Sequence, residues 1–154
     1  LRVGFRASAY LGGMKNMTPD EVQAFLEMGT RTGKLAIVRK DGRPHVTPIW
    51  FAVDGDDVVF MTHHTSSKAH AIRRDRRVAM VVDQETPPYA FVLIEGEVAV
   101  SEEPGELLHW ATAIGGRYMG AERAADYGRR NGVPGELLVR LRPRKIIAKS
   151  GIAD

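Results

Sequence analysis

The sequence predicts a mainly β protein: an antiparallel sheet closed or nearly closed into a barrel, with flanking helices. Three observations carry this. Five strand-like segments, at residues 35–38, 45–53, 58–62, 78–82 and 89–100, follow one another through mostly short turns. Sixteen glycines and eight prolines in 154 residues supply many turns. The stretches with helical spacing lie mainly before and after this run, with one short helix inside it.

The first helix starts at Thr18-Pro19-Asp20-Glu21, where Thr18 caps, Pro19 takes the first helical position and acids follow. Val22, Phe25, Leu26 and Met28 give it an apolar side, and Gly29 with Gly33 ends it. Residues 35–38 and 45–53 form a hairpin about the turn Asp41-Gly42. Pro48 removes a ladder donor from the return strand, which should therefore be bulged or lie at an edge. Asp54 to Asp57 turn the chain into residues 58–62, a helix begins near Ser66, and residues 78–82 follow as a strand. Pro87-Pro88 mark a loop, and Gly96 marks a bend or bulge in the long strand 89–100. A helical region opens at residues 101–105 and is interrupted by Gly115-Gly116. A second amphipathic segment covers residues 121–130 and stops at Asn131-Gly132. Residues 137–141 and 145–149 are a sixth and a seventh strand, separated at Pro143.

Residues 14–154 read as one domain. Residues 1–13 read as an N-terminal extension or a cloning remnant, without the long apolar core of a secretory signal. No apolar run is long enough to span a membrane, so no membrane partner is expected. The chain has no cysteine, which excludes disulfides, thiolate metal sites and a cysteine nucleophile, and which matches a cytoplasmic location.

The formal charge is only +3, but arginines cluster at residues 73–77 and again at 140–145. Exposed aromatics do not interleave with these clusters, so nucleic acid is not the expected partner. Five histidines stand at no recognised ligand spacing, and no metal site is expected. His63 and His64, adjacent on an extended chain, should point to opposite sides and either border a pocket or simply lie in a loop. The nucleophile elbow, the dinucleotide fingerprint and the P-loop are absent, and the carboxylates sit mainly in turns and helix starts. No catalytic side chain is therefore assigned.

What remains is the corner at Thr65-Ser66-Ser67-Lys68, between two strands. A helix begun there aims its first N–H groups outward, beside hydroxyls and an ammonium, as a phosphate requires. The same residues also suit a plain cap with a solvated basic face. Trp50, Phe51, Met61 and Phe91 are the nearby strand residues, suited to a flat heterocycle or to ordinary core packing.

The run Gly42-Arg43-Pro44-His45-Val46-Thr47-Pro48-Ile49-Trp50-Phe51, then Phe60-Met61-Thr62, Ser66-Ser67-Lys68, Arg73 to Val78 and Glu95-Gly96-Glu97, resembles the flavin split-barrel superfamily of the pyridoxamine 5′-phosphate oxidases. Together with residues 127–138 it looks most like the actinobacterial branch that uses the deazaflavin coenzyme F420. That resemblance implies an FMN-binding type of split barrel with about six or seven antiparallel strands, forming a homodimer with cofactor clefts at the subunit interface. Carried over by position, the cofactor-binding residues are Thr47, Pro48, Ile49, Trp50, Phe51, Ala52, Met61, Thr62, Ser66, Ser67 and Lys68. Three cations of the oxidases are replaced here, by Thr47, Ala52 and Ser67. The loss disfavours the FMN phosphate monoester and leaves a set suited to a phosphodiester, with the arginines from Arg73 to Arg77 as a track for a glutamate tail. The implied activity is F420-dependent hydride transfer to an unsaturated small-molecule electron acceptor such as an enone or quinone. An FMN-dependent oxidase or reductase, and a non-catalytic flavin or deazaflavin carrier, are the alternatives. Trp50 and Phe51 are expected to shape the cleft, with Tyr118 and Tyr127 in a lesser part.

Overall fold

The computed structural model describes residues 13–154, so nearly all of the segment expected as an extension lies outside the described residues. Among the described residues, eight strands form one antiparallel sheet: β1 (Lys15–Asn16), β2 (Gly33–Val38), β3 (Pro44–Ile49), β4 (Ala52–Asp54), β5 (Asp57–His63), β6 (Arg77–Gln84), β7 (Ala90–Ser101) and β8 (Glu136–Ser150). Four α-helices accompany them: α1 (Pro19–Glu27), α2 (Ser67–Arg74), α3 (Pro104–Met119) and α4 (Ala124–Asn131). None of the described helices is long and apolar enough to cross a membrane.

The strand order is β3-β2-β6-β7-β8-β5-β4, with β1 paired to the end of β8. The two ends of this path, β3 and β4, are successive in the chain and separated only by Trp50 and Phe51. The sheet therefore curls until its edges meet covalently, yet no ladder joins them among the described residues. The barrel, expected closed or nearly closed from the strand spacing and split from the resemblance, is split at Trp50-Phe51. The single strand expected over residues 45–53 is accordingly two.

Several local expectations hold. Asp41-Gly42 turns the β2–β3 hairpin, with Gly42 at φ 84°, where a side chain would be strained. Pro48 sits on an edge strand, opposite Lys34. Thr18 and Glu21 form a reciprocal capping box ahead of Pro19. The β7–β8 register shifts between Glu95 and Gly96, as expected of a bulge.

Two expected breaks are not breaks. Strand β8 runs through Pro143 without division. Pro143 stands opposite Gly96 at the bulge, beyond Leu141 where the ladder to β5 has ended, so its missing N–H deprives no neighbour. Helix α3 likewise runs through Gly115-Gly116. A Cβ on Gly115 would collide with Cβ of Tyr127, and one on Gly128 with Oγ1 of Thr112. These glycines let α3 and α4 pack at close range, and that packing outweighs their roughly 1 kcal/mol helix-propensity penalty.

Strand alternation sorts the interior. Val58 and Phe60 of β5, with Leu137, Val139 and Leu141 of β8, join the main core, together with Val22, Phe25 and Leu26 of α1 and Ala69 and Ile72 of α2. Val59 and Leu138 face the other way and pack under α3 with Leu107, beside Ala52, Met61 and Trp110. Helix α3 is thus held against the outer surface of β5 and β8, next to the split. Gly115→Ala is expected to lower stability by about 2 kcal/mol through overpacking against Tyr127, measured as a shift in the urea midpoint at unchanged slope.

Candidate functional site

The split between β3 and β4 is fixed from a distance by two consecutive residues in the last turn of α3. The Arg117 guanidinium donates to three carbonyls: Leu26 (2.7 Å), Gly29 (3.0 Å) and Phe51 (2.9 Å). It also lies over the Phe51 ring, 4.5 Å from its centre. The Tyr118 hydroxyl donates to the Arg31 carbonyl at 2.8 Å and accepts from the Phe51 N–H at 3.3 Å. Both backbone groups of Phe51 are therefore bonded to α3 rather than to a neighbouring strand. The Tyr118 ring stacks on Trp50 with centroids 5.0 Å apart and planes at 1°, and Tyr127 packs at a tilt on the same indole at 6.0 Å.

Burial drives the pKa of Arg117 down, but a guanidinium starts so high that it stays charged. Burial raises the Tyr118 pKa, opposed by its bond from Phe51 N–H and by Arg117, so the phenol remains a neutral donor well beyond neutral pH.

Beside this anchored corner lies a cavity of about 410 Å³, a size typical of small-molecule sites. Pro48, Ile49 and Trp50 form one wall; Met61, Thr62 and His63 come from the end of β5, and Lys68 from the first turn of α2. Ala111, Ile114 and Gly115 present a small apolar surface from α3, and Asn131 and Glu136 close the rim. Trp50 is 38% exposed here, whereas Phe51 beside it is fully buried in the core.

Six of the eleven predicted cofactor residues therefore line one cavity: Pro48, Ile49, Trp50, Met61, Thr62 and Lys68. The others surround or leave it. Phe51 is the core anchor, and Ala52 packs under α3. Ser66 caps α2 by accepting from Ala69 N–H at 3.0 Å, and it shares a 2.7 Å hydrogen bond with Thr62. Thr47 Oγ1 is buried with no hydrogen-bond partner. Ser67 faces a separate depression with Arg39, Lys40, Thr65, His70 and Arg74.

The expected arginine track is not assembled. Arg73 and Arg74 donate to the carbonyls of His64 and Val38, and Arg76 to that of Val98. Arg77 pairs with Asp75, holding that carboxyl down to about 2. His63 and His64 do not diverge: the chain turns there, and their rings lie 4.5 Å apart. His63 does border the cavity. No cluster of metal-ligating side chains occurs among the described residues. Sequence reasoning missed Arg117, Asn131 and Glu136; an arginine in a last helical turn looks like a dipole partner, and no local signal marks its three acceptors.

A profile of the pyridoxamine 5′-phosphate oxidase family matches residues 18–150. The chain belongs to that family. Solved structures agree with the assignment. A conserved hypothetical protein from Mycobacterium tuberculosis is 27% identical, with TM-score 0.79 over 94% of this chain and 91% of that one. An F420 reductase is 28% identical, with TM-score 0.63 over 80% of this chain and 94% of its own. A FAD-binding protein from Mesorhizobium loti, 18% identical with TM-score 0.65 over 88% and 95%, shares the fold. No curated protein matches at a significant level. Among members of the pyridoxamine 5′-phosphate oxidase family, this chain thus has the split-barrel fold and a cavity at the split.

Two outcomes are expected at the anchor. Arg117→Ala leaves three carbonyls without their guanidinium partner and should cost about 3 kcal/mol, with altered tryptophan emission as Trp50 loosens. The raised Tyr118 pKa means that its stabilising effect is complete below the ordinary value of 10.0 and is lost as pH rises through the folded-state value. Denaturation midpoints measured from about pH 9 upward should fall less steeply in Tyr118→Phe than in the wild type.

Proposed function

We propose that this protein is an F420-dependent reductase that transfers a hydride to an unsaturated acceptor such as an enone or quinone. The observation that carries the reading is the donor set of the cavity: a single ammonium, Lys68, beside the start of α2 and the linked hydroxyls of Thr62 and Ser66. One cation with hydroxyls and helix N–H groups matches a singly charged phosphodiester better than the doubly charged phosphate of FMN. Ser67 at a different depression and Ala52 under α3 add no cation to this set. The unpartnered Thr47 hydroxyl, next to Pro48, is a further polar atom in want of a ligand. The 28% identity to an F420 reductase across 80% of this chain supports the same choice.

When bound, the reduced deazaflavin supplies the hydride. The chain's own residues hold and orient. Trp50, fixed by stacking on Tyr118, gives a flat, rigid wall for a ring. The apolar α3 surface excludes water from the space opposite. A second copy of the chain is the proposed partner, and the exposed Val38 and Val46 offer apolar surface for it. A sedimentation mass equal to one chain would contradict that association.

Titration with F420 and with FMN, followed by absorbance and fluorescence, tests the assignment. F420 should bind, and Lys68→Ala should weaken it by about tenfold or more. Tight FMN binding without response to F420 would overturn the reading, and F420 binding without turnover of any enone or quinone would mark a carrier.

A further inference from the structure

Besides the Trp50 indole, five polar side chains line the cavity: Thr62, His63, Lys68, Asn131 and Glu136. The Thr62 hydroxyl shares a 2.7 Å hydrogen bond with Ser66. His63 Nδ1 is occupied by Thr65, through its hydroxyl at 2.8 Å and its N–H at 3.4 Å. The side chains of Lys68, Asn131 and Glu136 have no hydrogen-bond or ion-pair partner among the described residues. Glu136 is unlike the other strand carboxylates in this respect. Asp54 and Asp57 pair with Arg140, Asp83 with Lys34, Glu95 with Lys145 and Glu97 with Arg144.

Glu136 is also half-buried, at the first position of β8 and directly opposite His63 in the β5–β8 register. A carboxylate removed from water without a cation costs stability, and a glutamine of the same shape would cost less. Lys68 lines the same cavity but does not approach within ion-pair distance, 4.0 Å. The cavity thus carries one unneutralised charge of each sign, contributed by different elements, the first turn of α2 and the first residue of β8. Under the function proposed above, the cation faces the cofactor's phosphodiester. The anion is left for the second ligand.

We infer that Glu136, with Asn131 on the same cavity lining, sets the charge of the acceptor. The acceptor presents a hydrogen-bond donor or a positive charge to this carboxylate, and anionic acceptors are rejected. The inference rests on the proposed reductase reading for the word acceptor, but the charge preference of the cavity can be measured without it.

The probes are 1,4-naphthoquinones bearing a trimethylammonium, a methyl or a sulfonate substituent; the chain has no cysteine to react with them. Binding is followed by quenching of tryptophan fluorescence, since Trp50 lines the cavity, both without cofactor and with oxidised F420. Glu136→Gln should lower the preference for the trimethylammonium over the sulfonate probe by about tenfold, the effect of one partly screened charge a few ångströms away. The methyl probe and F420 itself should bind as before. Lys68→Gln should move the preference the opposite way, which places the probes in this cavity. An unchanged preference in Glu136→Gln overturns the inference. So does a loss of F420 affinity in that variant, which would give the carboxylate to the cofactor. If F420 fails to bind at all, the reductase reading falls, while the probe ratio without cofactor still decides the role of Glu136.

Discussion

The split in the sheet rests on the bonds that Arg117 and Tyr118 make to Phe51. A strand that leaves its ladder exposes backbone groups, and a half-buried backbone group without a partner costs about as much as a lost hydrogen bond. At Trp50-Phe51 that cost is avoided because Arg117 and Tyr118 satisfy the carbonyl and N–H of Phe51. The same guanidinium donates to the carbonyl of Leu26 at the C-terminal end of α1, where the last helical carbonyls lack intrahelical N–H donors, and to that of Gly29 just beyond. One side chain thus ties α1, α3 and the two sheet edges together. Its charge strengthens each of the three bonds, and burial against Phe51 shields them from water.

This anchoring has a consequence for the cavity. Phe51 turns into the core, and the more exposed Trp50 is held by ring contacts with Tyr118 and Tyr127. The rigid wall follows from the same break that keeps the barrel open. Opposite it, Gly115 serves two surfaces at once: it admits Tyr127 on one side and leaves the cavity clear on the other. Charge enters the cavity through few groups, chiefly Lys68 from α2 and Glu136 from β8. Under the proposed function these groups bind and orient rather than attack.

What the sequence disclosed was whatever has a local cause. The Thr18 capping box, the Asp41-Gly42 turn, the edge position of Pro48 and the bulge at Gly96 each follow from the conformational limits of a few neighbouring residues. The errors share the opposite origin. Gly115-Gly116 looks like a helix break until α4 packs against it, and Pro143 looks like a strand break until the ladder around it is known. The division of residues 45–53 is stabilised by Arg117 and Tyr118, 66 and 67 positions away from Phe51. The site was half legible for the same reason: the motif residues on β3, β5 and α2 converge, while the α3 surface, Asn131 and Glu136 arrive by tertiary packing alone. A short helix has two sides, and the residue string does not say which faces the cavity: Ser67 and Arg74 lie on the side of α2 away from it.

The central claim is that the cavity at the split, rather than another part of the surface, receives the cofactor. Backbone amide chemical shifts recorded while oxidised F420 is added test it most directly. Perturbations should gather at Ile49 to Ala52, at Met61 and Thr62, at Ser66 to Lys68 and along the α3 face at Ala111 to Gly115. Perturbations confined to the depression of Arg39, Lys40, His70 and Arg74, with the amides around Trp50 unmoved, would contradict it.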